Sequence, residues 1–480
     1  MARFNKPKAS IIGTNEEGHA AYLMEGKERL LTQVLTTFFN EPKFYSDNSS
    51  DIVKGAAELA KDDPQFIAKL ALYARREFNM RSVSHALTAV LASEPAGKPY
   101  IRGMFPAITP RADDPAEILA AYITMFGKPI PNALKKGISD SIKSFDEYEL
   151  AKYKGEQNAL KLRDVLRLCH PKPETDEQSD LFSRVLSGDL KTPYTWETEL
   201  SSKGSTKEVW EGLIASGKLG YMAMLRNLRN IINAKPLNIG IVYDHISDEG
   251  RVLNSKQLPF RFLSAYKELE QLPAATSKAF NALETAINIS VSNIPAVKGM
   301  SVIAVDVSGS MTAPISRRSK ITCAEIGLVL GVALSKVCEE SIFLTFDTGL
   351  YPQAIASKGG ILAQARAIPV NGGGTAMELP FQYLIDNKIP ADRIIVISDN
   401  QINSQWSNPV QSLADMYRKE MLQPQAWVHA IDLQGYGTQQ FHGKYTNIIS
   451  GWSEKALSFI SMAESGIGSL VQAIESYSAH

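Results

Sequence analysis

Ten residues, Ser301-Val302-Ile303-Ala304-Val305-Asp306-Val307-Ser308-Gly309-Ser310, constrain this chain more than any other stretch. Val, Ile and Ala in a run bounded by polar residues read as a strand buried on both faces, as in a parallel sheet covered by helices. The exit of such a strand lies at a carboxyl end of the sheet, where open α/β folds place their ligands. Asp306, Ser308 and Ser310 turn one carboxylate and two hydroxyls toward one point there. Three hard oxygen donors without His or Cys beside them suit Mg²⁺ and fit Zn²⁺ poorly. Two later loops extend the pattern. Asn371-Gly372-Gly373-Gly374-Thr375 is a flexible turn that delivers a hydroxyl just before an expected helix, and Asp392-Arg393-Ile394-Ile395-Val396-Ile397-Ser398-Asp399 is a second apolar strand ending in a carboxylate. Thr375 can act as ligand or as helix cap; its four companions favour the ligand role. Asp347 and Asp432 also stand near strand ends, and we read them as loop structure and as a solvated group.

This constellation resembles the metal-ion-dependent adhesion site of von Willebrand factor A domains, with Asp306, Ser308, Ser310, Thr375 and Asp399 on the motif. The resemblance implies one divalent ion, Mg²⁺ first. Ser308, Ser310 and Thr375 would hold it directly, Asp306 and Asp399 largely through water, and one position would stay open for a partner's oxygen. Residues 297–480 alternate as such a domain should: strand 300–306, helix 321–338, strand 341–346, an extended piece near 351–356, helices 359–366 and 376–387, strand 393–398, helix 408–421 and strand 426–432. An apolar segment, 456–474, interrupted near Gly466, closes the domain. That order predicts a doubly wound sheet with right-handed crossovers.

Residues 1–296 have a different texture. After a polar arm to about Gly18, segment 21–39 carries Leu23, Leu30, Val34 and Phe38 at helical spacing. Similar segments recur at 65–77, 82–93, 115–126, 131–143, 161–169, 205–216, 220–233, 257–270 and 273–292, broken by Pro, Gly and Asn. About 290 residues of helix are accommodated most readily by stacked antiparallel pairs, so an all-helical repeat domain is expected ahead of the α/β domain.

Lys and Arg total 51 and so do Asp and Glu, so any nucleic-acid track must be local. Residues 128–172 hold ten basic side chains against six acidic ones, and residues 218–261 hold seven against three. Three stretches concentrate this charge. Val165 to Pro173 ends a helix at a proline and places Arg167, His170 and Lys172 around one corner. Arg226 and Arg229 stand three apart on one helical face, and Arg75, Arg76 and Arg81 flank the end of an apolar helix. Basic groups on one surface neutralise phosphate without reading sequence.

The leucine-arginine-leucine, His170, Lys172-Pro173 segment, Leu225-Arg226-Asn227-Leu228, Leu258-Pro259-Phe260, and the second-domain pieces Asp306–Ser310, Gly373-Gly374-Thr375 and Ser398-Asp399-Asn400 together resemble the Ro family. In that family a TROVE module of HEAT-like helical repeats forms a ring closed by a von Willebrand A domain. The resemblance implies small non-coding Y-like RNA on the outer surface, single-stranded 3′ ends of misfolded RNA in a central hole, and an exoribonuclease as partner in RNA quality control. The candidate RNA contacts are Lys136, Lys161, Arg163, Arg167, His170, Lys172, Arg226 and Arg229. The other class of function open to this sequence is a metal-dependent protein adhesion module on a helical scaffold, without RNA.

Catalysis is not expected. The sequence has no Walker-type Gly-x-x-x-x-Gly-Lys run, no Cys-His nucleophile pair and no strand-following Gly-x-Ser-x-Gly. Cys169, Cys323 and Cys338 have neither paired nor metal-ligand spacing, which fits a reducing compartment. No h-region follows the first residues, and no stretch approaches about 18 uncharged apolar residues. A soluble, cytoplasmic monomer without membrane association or DNA specificity is the expectation.

Overall fold

The computed structural model describes residues 12–15, 18–36, 50–153, 159–257, 259–292, 294, 296–314, 319–403, 411–451, 454–464 and 470–478. By packing, the chain forms two compact units, Met1–Thr36 with Ser205–Leu470, and Thr37–Gly204 with Val471–His480. Among the described residues no helix is long and apolar enough to cross a membrane.

The unit that holds residues 37–204 is helical. Its helices pack on the next but one: Pro64–Arg76 on Lys98–Ile108, Ser82–Ser93 on Asp114–Phe126, Lys98–Ile108 on Asn132–Ile142, and Asn132–Ile142 on Leu162–Cys169. That alternation is what stacked helical pairs require, because each pair has an apolar face that only the next pair can cover. The helices come very close at Gly137, where a Cβ would meet the Phe105 ring at 2.6 Å.

Two of the three arginines in one predicted basic cluster, Arg75 and Arg81, turn inward, while Arg76 stays exposed. Arg75 is only 7% exposed; its guanidinium donates to the Asp114 carboxylate at 3.2 Å and to the Ile108 carbonyl at 3.2 Å. Arg81 donates to Asp114 at 2.7 Å, and the His85 ring lies 3.2 Å from the same carboxylate. Arg75 and Arg81 therefore tie together the helices that carry them, because a buried carboxylate needs compensating charge.

The other unit contains the sheet. Its strands are β1 (Ile12–Thr14), β2 (Ala20–Leu23), β3 (Val297–Asp306), β4 (Cys338–Phe346), β5 (Leu350–Gln353), β6 (Arg393–Ser398), β7 (Trp427–Asp432), β8 (Thr438–Gln439) and β9 (Thr446–Ser450). Six of them run in the order β5-β4-β3-β6-β7-β9, parallel throughout except for the β4–β5 pair. Val302, Ala304, Leu344, Ile394, Val396, Val428 and Ala430 share one face and pack on Met377, Phe381, Leu413 and Tyr417. On the other face lies the helix Cys323–Val337, brought close by Gly331, where a Cβ would meet Val305 at 2.8 Å.

Several boundaries differ from the sequence reading. Segment 21–39 does not begin as a helix: Ala20–Leu23 is strand β2, which pairs antiparallel with β1 and with β8, and the helix spans Gly26–Thr36. Residues 37–39 and the break near Gly466 lie outside the described residues. Ala20–Leu23 pairs both with the nearby β1 and with β8, more than 400 positions away, and this pairing overrides the local helical pattern. Strand β9 has no counterpart in the sequence reading. The helix expected over 376–387 spans Leu379–Asp386, and Glu378 occupies its cap position.

Candidate functional site

Every residue of the oxygen-donor motif stands at the carboxyl end of the sheet, where β3 and β6 are neighbours. Asp306 ends β3 and is fully buried. Its Oδ1 accepts from the Ser308 backbone N–H at 2.9 Å, and its Oδ2 accepts from the Ser398 hydroxyl at 2.6 Å. The Ser308 and Ser310 hydroxyls lie 3.3 Å apart. Asp399 follows β6 and is also fully buried.

The loop that bears Thr375 is fixed from three sides. Gly373 donates no hydroxyl but supplies its backbone twice: its carbonyl accepts from Gly309 N–H at 2.7 Å, and its N–H donates to Asp347 Oδ2 at 3.2 Å. Gly372 N–H reaches the Val307 carbonyl at 3.0 Å. Thr375 N–H donates to Asn403 Oδ1 at 2.6 Å, and Asn403 N–H returns to the Thr375 carbonyl at 3.3 Å. Thr375 thus precedes the helix by several residues and is free of the capping role that a Thr at a helix start normally has.

Asp347 organises this bracket as a loop element: Oδ1 accepts from Gly349 N–H at 2.8 Å and from the Tyr351 hydroxyl at 3.0 Å, while its carbonyl accepts from Ala376 N–H at 2.8 Å. The sequence offers Ser398 only as part of the Ser398-Asp399-Asn400 piece, and neither its bond to Asp306 nor the roles of Asn403 and Asp347 follow from it. Their only signal is position, with Ser398 ending β6, Asp347 following β4 and Asn403 in the loop after β6, and many structural residues share such positions.

Asp432 is not solvated. It is 0% exposed at the end of β7, because the following turn folds over it and gives Oδ1 the backbone N–H groups of Gln434 and Gly435, each at 2.9 Å.

Burial, with the neighbouring Asp399 carboxylate adding to it, pushes the Asp306 carboxyl well up from the ordinary carboxylate range. Burial likewise pushes Asp432 up to about 6. Burial and a neighbouring like charge each disfavour the ionised carboxylate. Two hydroxyls, a third hydroxyl from Thr375 and two carboxylates form a donor set that fits a hard divalent cation. A thiolate ligand is not on offer, since burial pushes the Cys323 thiol up to about 12.

The candidate RNA residues divide between the two units. In the helical unit, Leu162, Val165, Leu166 and Cys169 are buried while Arg163, Arg167 and His170 are exposed. Positions 163, 167 and 170 repeat at helical spacing, so these side chains share the outer face. His170 ends the helix in the left-handed region, with φ of 50°, and its N–H donates to the Leu166 carbonyl at 2.9 Å, which turns the chain at Pro171 and leaves Lys172 exposed. Lys161 is half-buried at the helix start, and its N–H donates to Asp164 at 3.1 Å. Lys136 is exposed on the packed neighbour helix Asn132–Ile142, which Ser139 joins to this one by donating to the Cys169 carbonyl at 3.1 Å. In the other unit, Arg226 and Arg229 are exposed on the helix Tyr221–Ala234, but Arg229 pairs with Glu268 at 2.9 Å.

The sequence matches the TROVE domain over residues 32–188 and 187–280, and the Ro60 vWA domain over residues 301–438. It is similar to telomerase protein component 1 of Rattus norvegicus, at 28% identity over 340 residues, which is 52% of this chain and 13% of that protein. The Mus musculus telomerase protein component 1 is 28% identical over 350 residues, 55% of this chain and 13% of its own length. This chain therefore spans only a small part of those curated relatives. Among solved structures, the Deinococcus radiodurans Ro (Rsr) protein superposes with a TM-score of 0.64 at 15% identity, covering 92% of this chain and 100% of that one. At that identity the likeness is one of fold.

Proposed function

Because this chain belongs to the Ro family, with a TROVE domain ahead of a Ro60-type von Willebrand A domain, we propose that it holds RNA in two modes for quality control. Membership makes it a non-catalytic RNA-binding protein of the ribonucleoprotein type. In the proposed first mode, a small structured non-coding RNA of the Y type lies against the corner of Arg163, Arg167, His170 and Lys172, with Lys161 and Lys136 beside it. In the second, single-stranded 3′ ends of misfolded RNA enter a hole in the helical ring, with an exoribonuclease as partner in maturation or decay. Arg226 is the candidate for that rim or for an extension of the outer surface, and Arg229 joins it only by giving up Glu268.

The observation that carries the first mode is the segregation on Leu162–Cys169, apolar side chains inward and three cationic or ionisable groups outward. Contacts of this kind recognise phosphate through charge and leave sequence unread. The A domain contributes a Mg²⁺ site in this reading, with Ser308, Ser310 and Thr375 as direct ligands and Asp306 and Asp399 acting mostly through water. The ion supplies a Lewis-acidic docking point for a partner's oxygen.

The test is filter binding of a folded hairpin RNA, with and without a single-stranded 3′ tail, at two salt concentrations. Binding of both RNAs that weakens steeply with salt is expected. Failure to bind either RNA, with Mg²⁺ binding intact, would move the protein to a metal-dependent protein adhesion module.

A further inference from the structure

Across the sheet, the register β3–β6 and β6–β7 places Asp306, Ser398 and Asp432 in one row: Val305 pairs with Ile397, so Asp306 continues opposite Ser398, and Ser398 pairs with Asp432. In-register residues of a parallel sheet point to the same face, about 4.8 Å apart per strand. The preceding rungs of that face are hydrocarbon: Ala304, Val396 and Ala430 belong to the apolar cluster. One rung later the same face carries two carboxylates with the Ser398 hydroxyl between them in the row, and that hydroxyl donates to Asp306 at 2.6 Å. Asp399 stands next to the row, and all three carboxylates are fully buried.

We propose that Asp432 is a positioning residue of the metal centre, a third acid that strengthens cation binding through its field and through the Ser398–Asp399–Asn400 turn, without being a ligand. This inference rests on the metal reading above. The geometry separates the two roles. Asp432 Oδ1 is committed to two backbone N–H groups, of Gln434 and Gly435, which fix it in place. The Asn400 side-chain amide lies near enough to stabilise the Asp432 charge, yet it completes no hydrogen bond of ordinary length. Leu433 N–H reaches the Ser398 carbonyl at 3.1 Å, so the strand end bearing Asp432 is also stitched to the residue that orients Asp306. Burial keeps the field of Asp432 from being screened, because fields decay slowly where water is excluded.

A structural role and a charge role predict opposite signs for the same substitution. Asp432→Asn keeps the shape and the acceptor for Gln434 and Gly435 while removing the charge. In the metal-free protein it relieves repulsion among three buried acids, so the thermal midpoint measured in EDTA at pH 8 should hold or rise. In titration calorimetry with Mg²⁺ the same variant should bind about tenfold more weakly or worse, the scale expected of outer-shell partners, and the Mg²⁺-induced rise in midpoint should shrink. Asp432→Ser, neutral and smaller, should show the same weakened Mg²⁺ binding and serves if the Asn variant does not fold. Mg²⁺ affinity equal to wild type in a folded neutral variant would overturn the role of Asp432 while leaving the metal centre in place. A wild-type protein that gives no Mg²⁺ signal would remove the metal centre and this inference with it.

Discussion

The Ser398 hydroxyl donates to the Asp306 carboxylate at 2.6 Å across the boundary of β3 and β6. It joins the ends of the two strands whose acids define the candidate metal centre, and it leaves the Ser308 and Ser310 hydroxyls unobstructed by that bond. Asp306→Ala should therefore abolish Mg²⁺ binding in calorimetry at concentrations that saturate the wild type. A strand-end carboxylate outside the core would explain survival of the sheet simply, but Asp306 is fully buried. Alanine relieves its repulsion with Asp399 but leaves the Ser308 N–H and the Ser398 hydroxyl without their acceptor, so the circular dichroism spectrum should be unchanged while the midpoint in EDTA falls by no more than the scale of buried donors left unpaired, about 1–3 kcal/mol each. Wild-type Mg²⁺ affinity in this variant would contradict the assignment.

Asp114 gives the helical unit a pH dependence of definite sign. Burial alone would raise its pKa, but hydrogen bonding and charge from His85, with Arg81 and Arg75, outweigh burial and hold the carboxyl well below the usual range. A depressed folded value means that the unfolded chain takes up the proton first, so the stabilisation is complete above the ordinary carboxylate pKa and is lost as pH falls below about 4. Urea midpoints should be flat with respect to this group near neutrality and should drop in acid. Asp114→Ala leaves Arg75 buried without its carboxylate and should cost about 3–5 kcal/mol at neutral pH. A loss below about 1 kcal/mol, on the scale of an exposed pair, would show that the cluster does not hold these helices together.

Glu284, on the helix Ser277–Val291, accepts from the backbone N–H groups of Leu362 and Ala363 at 3.1 and 2.7 Å, which caps the helix Ile361–Ala367 from a distant part of the chain. Glu284→Ala should cost about 1 kcal/mol in urea unfolding, the usual scale of a lost cap. Glu284→Gln, which keeps an acceptor, should recover part of that. Equal losses in both variants would assign the effect to charge and not to capping.

The gathering of Asp306, Ser308 and Ser310 was legible because it is written in one short stretch: an apolar run must become a buried strand, and oxygen donors two apart at its end must share the exit. The parallel sheet was legible for the same reason. What escaped depended on pairing over long distances. Ala20–Leu23 has the composition of a helix start and becomes a strand where it pairs with Ile12–Thr14 and with the distant Thr438–Gln439. Asp432 resembles a solvated strand-end acid until the turn through Gly435 closes over it. Arg75 and Arg81 look like a phosphate site, since a sequence does not say that Asp114 lies opposite them. The exposed corner at Arg163, Arg167 and His170 was readable because helical spacing alone decides which side chains share a face.

The central claim is that this corner holds structured RNA through phosphate contacts. Its most direct test is a gel-shift titration of a folded hairpin RNA, and of the same hairpin with a free 3′ tail, against wild type and an Arg167→Ala, His170→Ala, Lys172→Ala triple variant whose folding is checked separately. All three side chains are exposed on the helical unit, so the substitutions should leave its core intact. The account predicts that the variant binds the folded hairpin more than about tenfold more weakly, roughly 1.4 kcal/mol or more. Its salt dependence should be shallower, and part of the affinity for the tailed RNA should remain. Equal affinity of wild type and variant for the folded hairpin would contradict the account and take this corner out of the binding surface.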